Sequence, residues 1–157
     1  RPRRQQNVLL VMSVACRCQQ EREMGFRRVL RSAFPHLRIE ERVISDDVPE
    51  TTYEQLSSYF ETQGVPAAVY NVAGANRGVA QALEESGAAE STIFVGHELT
   101  PISQSLLETG TMDYVILHDF RAELQTAVEW INSFHDNVAS DPRPTPLLVH
   151  TRYNCNL

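Results

Sequence analysis

The sequence contains no lysine, so all 14 of its cationic side chains are arginines, and they are outnumbered by 20 aspartates and glutamates. The formal net charge is −6. A protein that binds duplex DNA needs clustered lysine and arginine side chains to neutralise phosphates. The basic run here covers only residues 1–4, at the terminus. We therefore predict that this chain does not bind DNA by itself.

Long apolar runs and paired cysteines are also scarce. The longest apolar candidate, residues 8–12, is far shorter than the roughly 18 residues of a membrane helix, so we expect no membrane contact. The sequence has an odd number of cysteines, namely Cys16, Cys18 and Cys155. An odd number favours a reducing compartment over the disulfide framework of a secreted protein. Cys16 and Cys18 have no second pair at metal-ligand spacing. The sequence therefore predicts no metal site and no cofactor.

The sequence does contain a regular alternation of short β-rich runs with amphipathic segments, over a length of 157 residues that suits one compact domain. The apolar spacing predicts strands over residues 7–12, 37–44, 67–71, 92–95, 114–117 and 147–151. Between them it predicts helices over residues 20–33, 52–63, 76–85, 101–108 and 121–134. This order is typical of an α/β fold with a doubly wound, mostly parallel sheet and helices on both faces.

Ligands of open parallel sheets bind beyond the carboxyl ends of the strands, near the point where the strand order reverses. Polar residues follow four of the predicted strands. Arginine and carboxylate groups among them form paired hydrogen bonds, which suits a ligand with several hydroxyl groups. The candidate binding residues from this pattern are Ser13, Arg22, Asn71, His97, Glu98, His118 and Asp119.

Each candidate also has a structural interpretation. Arg22 could be solvated in the first turn of its helix, and Asn71 suits a turn as well as a ligand contact. Glu98 could assist the start of the next helix. We favour a satisfied, buried role for His97, and N-capping of the next helix for Asp119. Thr51 or Thr52 and Thr100 are the other predicted N-caps.

The stretch Gly-Ala-Asn-Arg-Gly at residues 74–78 opens a predicted helix, as a phosphate-binding loop does. It lacks the lysine of a Walker motif and the glycine spacing of a dinucleotide site, so a tight turn with Asn76 as helix cap is favoured. No serine, histidine and aspartate set is anchored by a motif such as Gly-x-Ser-x-Gly. We predict that the chain is not an enzyme. An unrelated doubly wound enzyme that uses Glu98 or His118 is the distant alternative.

Four stretches resemble the C-terminal lobe of lac-repressor-type (LacI family) regulators and of their relatives, the type I periplasmic sugar-binding proteins. They are REMGFRRVL, YNVAGANRGVAQALEESG followed by TIFVGHELT, HDFRAELQTAVEWI, and the closing TRYNCNL. The stretches run nearly end to end, in the order and with the spacing of the family.

The resemblance implies a domain organisation and a function. Residues 1–6 would be the tail of the inter-lobe crossover, and residues 7–157 the C-terminal effector-binding lobe of a type I periplasmic-binding-protein-like fold. The parent protein would be a bacterial, cytoplasmic transcriptional regulator that senses a sugar or related polar metabolite. It would form a homodimer and reach operator DNA only through an N-terminal head that this chain lacks. A lobe of a periplasmic sugar-binding protein that serves a transporter is the alternative.

The resemblance also assigns site residues. Arg22, three residues before Gly25, matches the ligand-gripping arginine of the family, and Glu98 matches a position that usually holds a sugar-binding aspartate. His118 and Phe120 fall where a polar residue and a pocket-lining aromatic are common. The usual Asn-Asp pair after the third strand is here Asn71 followed by valine, which implies a different effector or a loop that bends differently.

In the family, the helix after the fifth strand packs on the other lobe. We therefore expect Leu124, Trp130 and Phe134 to expose an apolar patch in this chain. The chain would then self-associate, or it would fold this helix back on itself.

Overall fold

The computed structural model of the protein describes residues 6–13, 16–136, 138 and 144–156. Its strands are β1 (Gln6–Met12), β2 (Leu37–Ile44), β3 (Ala68–Asn71), β4 (Ile93–His97), β5 (Tyr114–His118) and β6 (Leu147–His150). Its helices are α1 (Arg17–Ala33), α2 (Pro49–Gln63), α3 (Asn76–Glu85), α4 (Pro101–Thr109) and α5 (Phe120–His135).

The strands form one sheet in the order β2-β1-β3-β4-β5-β6. The first five strands of the chain are parallel, and β6 pairs antiparallel with β5. The predicted doubly wound, mostly parallel α/β fold is confirmed. The resemblance implies a crossover tail over residues 1–6. Residues 1–5 lie outside the described residues, and Gln6 already belongs to β1.

Successive side chains of each strand point to opposite sides of the sheet, and helices pack against the side chains on both sides. On one face, Leu9 and Val69 join a large cluster with residues of α2, α3 and α4. On the other face, Leu10 and Tyr70 pack beneath Phe26 of α1, with the Phe26 and Tyr70 ring centroids 4.7 Å apart. No helix in the described part of the chain is long and apolar enough to cross a membrane.

Two of the predicted helix N-caps are confirmed. Thr100 caps α4 and accepts from the backbone N–H of Ser103, while Asp119 caps α5 and accepts from the N–H of Ala122 at 3.0 Å. The prediction for α2 is wrong, because Val48 is the N-cap and Pro49 is the first helical residue. Proline suits that position, since its fixed φ is already helical and it has no N–H to leave unpaired.

Helix α5 has no buried residue, although its apolar side chains recur at helical spacing. Leu124 is 68% exposed, Trp130 54% and Phe134 78%. The expected apolar patch is therefore present, and the helix has not folded back to bury it.

Gly78 lies where α3 passes close to the start of α2. A Cβ atom at this position would stand 2.2 Å from the carbonyl oxygen of Pro49, a distance at which the two backbones must separate. Glycine is therefore required here by space.

Gly78→Ala should lower the free energy of unfolding by about 1–3 kcal/mol, the usual cost of overpacking a well-packed interior. Urea denaturation measures this loss. The matched control is Gly25→Ala in α1, where a Cβ would meet nothing within 4 Å and helix propensity predicts no loss or a gain of up to about 1 kcal/mol. Equal stability of the two variants would contradict the close approach.

His97 ends β4 as a buried residue, and its Nε2 lies 2.9 Å from the hydroxyl of Tyr70 on the neighbouring strand. Its Nδ1 is buried without a hydrogen-bond partner. Burial, reinforced by the nearby Arg22 and His118, lowers the pKa of His97 to about 4. The imidazole is therefore neutral in the folded protein at neutral pH.

The unfolded chain protonates this histidine near its ordinary pKa of about 6.5, so folding loses stability as the pH falls from there towards 4. The stability difference between the wild type and His97→Gln should shrink by about 1–2 kcal/mol between pH 6.5 and pH 5. Denaturation of both proteins across this range measures it. A difference that does not change with pH would show that His97 is not held neutral.

Candidate functional site

A cleft of about 460 Å³ opens at the carboxyl end of the sheet, where the segments that follow β1, β2, β3 and β4 converge. Its lining combines charged, polar and small apolar side chains: Cys18, Gln19, Arg22, Asp47, Pro49, Val72, Ala73, Gly74, Ala75, Asn76, Arg77, His97, Glu98, Thr100 and Ile102.

The cleft lies where strand order and physical chemistry predict it. Between β1 and β3 the order of the sheet reverses, and α1 and α3 leave these strands towards opposite faces. The two connections diverge and leave a space between them, which is the usual ligand position in open parallel sheets.

Arg22 projects from the first turns of α1 into this cleft and is half-buried. Its Nη2 lies 3.5 Å from Nε2 of His118, and Nδ1 of that histidine lies 3.2 Å from the carboxylate of Glu123. Nε2 of His118 thus faces the arginine, and Nδ1 faces the carboxylate. His118 therefore lies between Arg22 and Glu123.

Three residues other than glycine have a positive φ in the described part of the chain: Asp47 at 64°, Ala75 at 55° and Glu98 at 68°. They belong to three different loops, yet all of them line the cleft. The left-handed region is unfavourable for residues with a Cβ, and such strain concentrates at functional sites. Glu98 is exposed, and its backbone is held by an N–H bond to the Ile116 carbonyl and by the Ser103 hydroxyl.

The loop after β3 is held by amide side chains. Asn71 is fully buried, and its Nδ2 donates to the Gly74 carbonyl at 2.6 Å and to Asn76 Oδ1 at 2.8 Å. Asn76 Nδ2 in turn donates to the His97 carbonyl on β4 at 3.1 Å. The expectation that Asn76 caps α3 is wrong, because Ala75 is the N-cap and the Asn76 amide spans to β4 instead. Gly96 makes room for this amide.

Two further candidates stand apart from the lining. Ser13 is buried behind it and exchanges two hydrogen bonds with Gln19, which does line the cleft. Phe120 is 55% exposed on α5, with its ring centroid 6.3 Å from that of His118. The structure thus brings Arg22, His97 and Glu98 to the lining of the cleft, and the other candidates do not line it. Their ligand roles stay predictions.

Sequence reasoning missed Asp47 and Arg77. Asp47 follows β2, so the rule about the carboxyl ends of strands points to it, although its position also suits an ordinary turn. Its Oδ1 accepts from the Gly74 N–H at 2.6 Å, which joins two loops. Arg77 is the second residue of α3, in the stretch at residues 74–78 for which the sequence favours a tight turn, and its exposed side chain lines the cleft.

The lining holds two arginines, Arg22 and Arg77, and two carboxylates, Asp47 and Glu98. Such a mixed set suits a neutral molecule with many hydroxyl groups, because carboxylates accept from hydroxyls and guanidinium groups donate to them. No cluster of three or more metal-ligating side chains occurs within the described residues.

Comparisons with known proteins place the fold. Over 98% of the chain, the structure matches a glucose-galactose binding protein, GanP, from Geobacillus stearothermophilus, with a TM-score of 0.86 and 18% identity over 55% of that protein. A sugar-binding protein of a sugar ABC transporter from Bacillus halodurans matches with a TM-score of 0.87 and 13% identity, over 96% of this chain and 56% of that protein.

A protein described as a LacI transcriptional regulator, from Bacteroides fragilis, matches 96% of the chain over 54% of its own length, with a TM-score of 0.79 and 14% identity. The chain thus spans about half the length of the solved structures that it matches. The comparison with curated protein sequences gives no match.

The sequence family described as periplasmic binding protein domain matches residues 5–134. This match covers more than half of the chain and includes the first five strands with the whole cleft. The chain belongs to the periplasmic binding protein domain family.

Proposed function

We propose that this chain is the C-terminal lobe of a two-lobed protein that binds a sugar or a related polar metabolite between its lobes. The observation that carries the proposal is the cleft at the strand-order reversal, which Arg22 and Glu98 line. Three loops around this cleft each contain a residue with a positive φ. The binding role requires no catalysis: the ligand stabilises the closed arrangement of the lobes and shifts the population towards it.

Two features support a site that a second lobe completes. The four charged groups that line the cleft are exposed or half-buried. A ligand needs a second wall before these groups lose water and become strong hydrogen-bonding partners. Helix α5 offers Leu124, Val128 and Ile131 on one exposed face, which a second lobe would cover.

The regulator assignment is the finer part of the proposal. It is supported by the odd number of cysteines in the sequence, which favours a reducing compartment, and by the likeness to the Bacteroides fragilis protein. In this role the parent protein acts as a cytoplasmic homodimer whose DNA-binding head lies outside this chain. The second candidate, a binding protein for a transporter, is supported by the likeness to the glucose-galactose binding protein. Operator binding that responds to a sugar would separate the two.

Calorimetry of the intact two-lobed protein against a panel of sugars tests the site. We expect Arg22→Ala and Glu98→Ala each to weaken binding by about 1.5–3 kcal/mol, or roughly 10- to 150-fold, because each removes a charge-assisted hydrogen bond.

The matched controls are Arg28→Ala, on the exposed surface of α1, and Glu90→Ala, between α3 and β4. Neither residue lines the cleft, and both variants should bind like the wild type. If the cleft variants also bind like the wild type, the ligand site lies elsewhere.

The exposed face of α5 generates a second prediction. At high concentration the chain alone should self-associate, because Leu124, Val128 and Ile131 of α5 are exposed and burying them is favourable. Sedimentation velocity measures this, and Leu124→Asp combined with Val128→Asp should give a monomer. Ile93→Asp, which changes an exposed apolar residue at the start of β4, should leave the association unchanged. A monomeric wild type at all concentrations would contradict the prediction.

A further inference from the structure

Two cysteines meet at the edge of the cleft. The sulfur atoms of Cys16 and Cys18 are 3.0 Å apart. Cys18 is exposed and lines the cleft, and Cys16 is half-buried. The third cysteine, Cys155, is only 2% exposed and belongs to the core. The two neighbouring thiols are therefore the ones that solvent reaches.

The start of α1 provides an electropositive setting for this pair. Cys16 is the N-cap of α1 and Cys18 is its second helical residue, so both lie at the positive end of the helix dipole. The first turn contains no acidic residue, and the positive charge of Arg22 acts on Cys18. Helix N-termini and neighbouring cations are the features that activate cysteine in reactive dithiol motifs.

The contact between the sulfur atoms also makes the two cysteines unequal. A hydrogen bond from the Cys18 thiol lowers the pKa of Cys16, and the same bond raises the pKa of Cys18. Cys16 thus has the larger thiolate fraction at neutral pH, and Cys18 keeps its proton until a later step.

We propose that Cys16 and Cys18 form a thiol–disulfide exchange site whose substrate is a low-molecular-weight disulfide such as oxidised glutathione. The Cys16 thiolate attacks one sulfur of glutathione disulfide; a Cys16–glutathione bond forms, the glutathione S–S bond breaks, and one glutathione leaves as a thiolate that takes up a proton. Cys18 then loses its proton and attacks the Cys16 sulfur. The Cys16–Cys18 bond forms, and the second glutathione leaves as a thiol.

In the net reaction two protein thiols are oxidised to one disulfide and one glutathione disulfide is reduced to two glutathiones. The second step is intramolecular, and the sulfur atoms need to approach by only about 1 Å to reach the bond length of about 2.05 Å. Cys18 is therefore close enough to displace glutathione from Cys16 before the mixed disulfide accumulates.

The pair is also placed to influence the cleft. A bond between Cys16 and Cys18 restrains the first turn of α1, which carries Gln19 and leads to Arg22 on the cleft wall. This consequence for binding rests on the proposed function, whereas the exchange chemistry does not. A test of the chemistry without any sugar therefore succeeds or fails independently of the binding proposal.

The test starts from the reduced chain with Cys155→Ser, incubated at pH 7 in buffers of increasing oxidised-to-reduced glutathione ratio. Intact mass and peptide mapping should show an intrachain Cys16–Cys18 disulfide, recognised by the loss of two hydrogens. Adding Cys18→Ser should trap glutathione on Cys16, and adding Cys16→Ser should abolish the intrachain disulfide. Circular dichroism checks that each variant is folded, and the wild-type chain repeats the first measurement without substitutions.

Three outcomes would overturn the proposal: oxidation that yields only disulfide-linked dimers, a stable glutathione adduct on the chain with both thiols present, or a Cys18→Ser variant whose Cys16 takes up no glutathione. An intrachain disulfide together with the trapped adduct on Cys16 establishes it.

Discussion

At the carboxyl end of β3 the Asn71 side chain is fully buried, and its amide nitrogen donates to both the Gly74 carbonyl and Asn76 Oδ1. From Asn76 the network continues to the His97 carbonyl, and from Gly74 it continues to the carboxylate of Asp47. The segments after β2, β3 and β4 are thereby joined by side-chain hydrogen bonds. Leaving one such buried group without a partner costs about 1–3 kcal/mol, so the loops hold one shape together. The wall of the cleft depends on this network.

The network explains why the fold was more predictable than the site. Order and type of the strands and helices follow from apolar spacing within short windows, and the structure agrees with them. The expectation that Asn76 caps α3 is wrong because the partners of its side chain, Asn71 and the His97 carbonyl, lie outside the helix. No local pattern shows that an amide will cross from one loop to the next strand. Asp47 is not predicted as a cleft residue for a different reason, because its position after β2 also suits an ordinary turn.

The start of α1 shows the same limit on local reasoning. Periodicity predicts a helix from residue 20, whereas the helix begins at Arg17. The added turn contains Cys18 and Gln19, whose side chains serve the cleft rather than the core, so they contribute nothing to an apolar repeat. Gln19 is nevertheless buried, because it exchanges hydrogen bonds with Ser13. Polar residues that pair with each other can extend an element beyond its hydrophobic pattern.

The antiparallel pairing of β5 with β6 has a consequence for where α5 is attached to the sheet. His118, the last residue of β5, lies opposite Leu147, the first residue of β6. Both ends of the segment that contains α5 are therefore attached to the sheet at neighbouring positions. His118 is also the residue that contacts Arg22. One residue thus joins the attachment point of α5 to the arginine of the cleft.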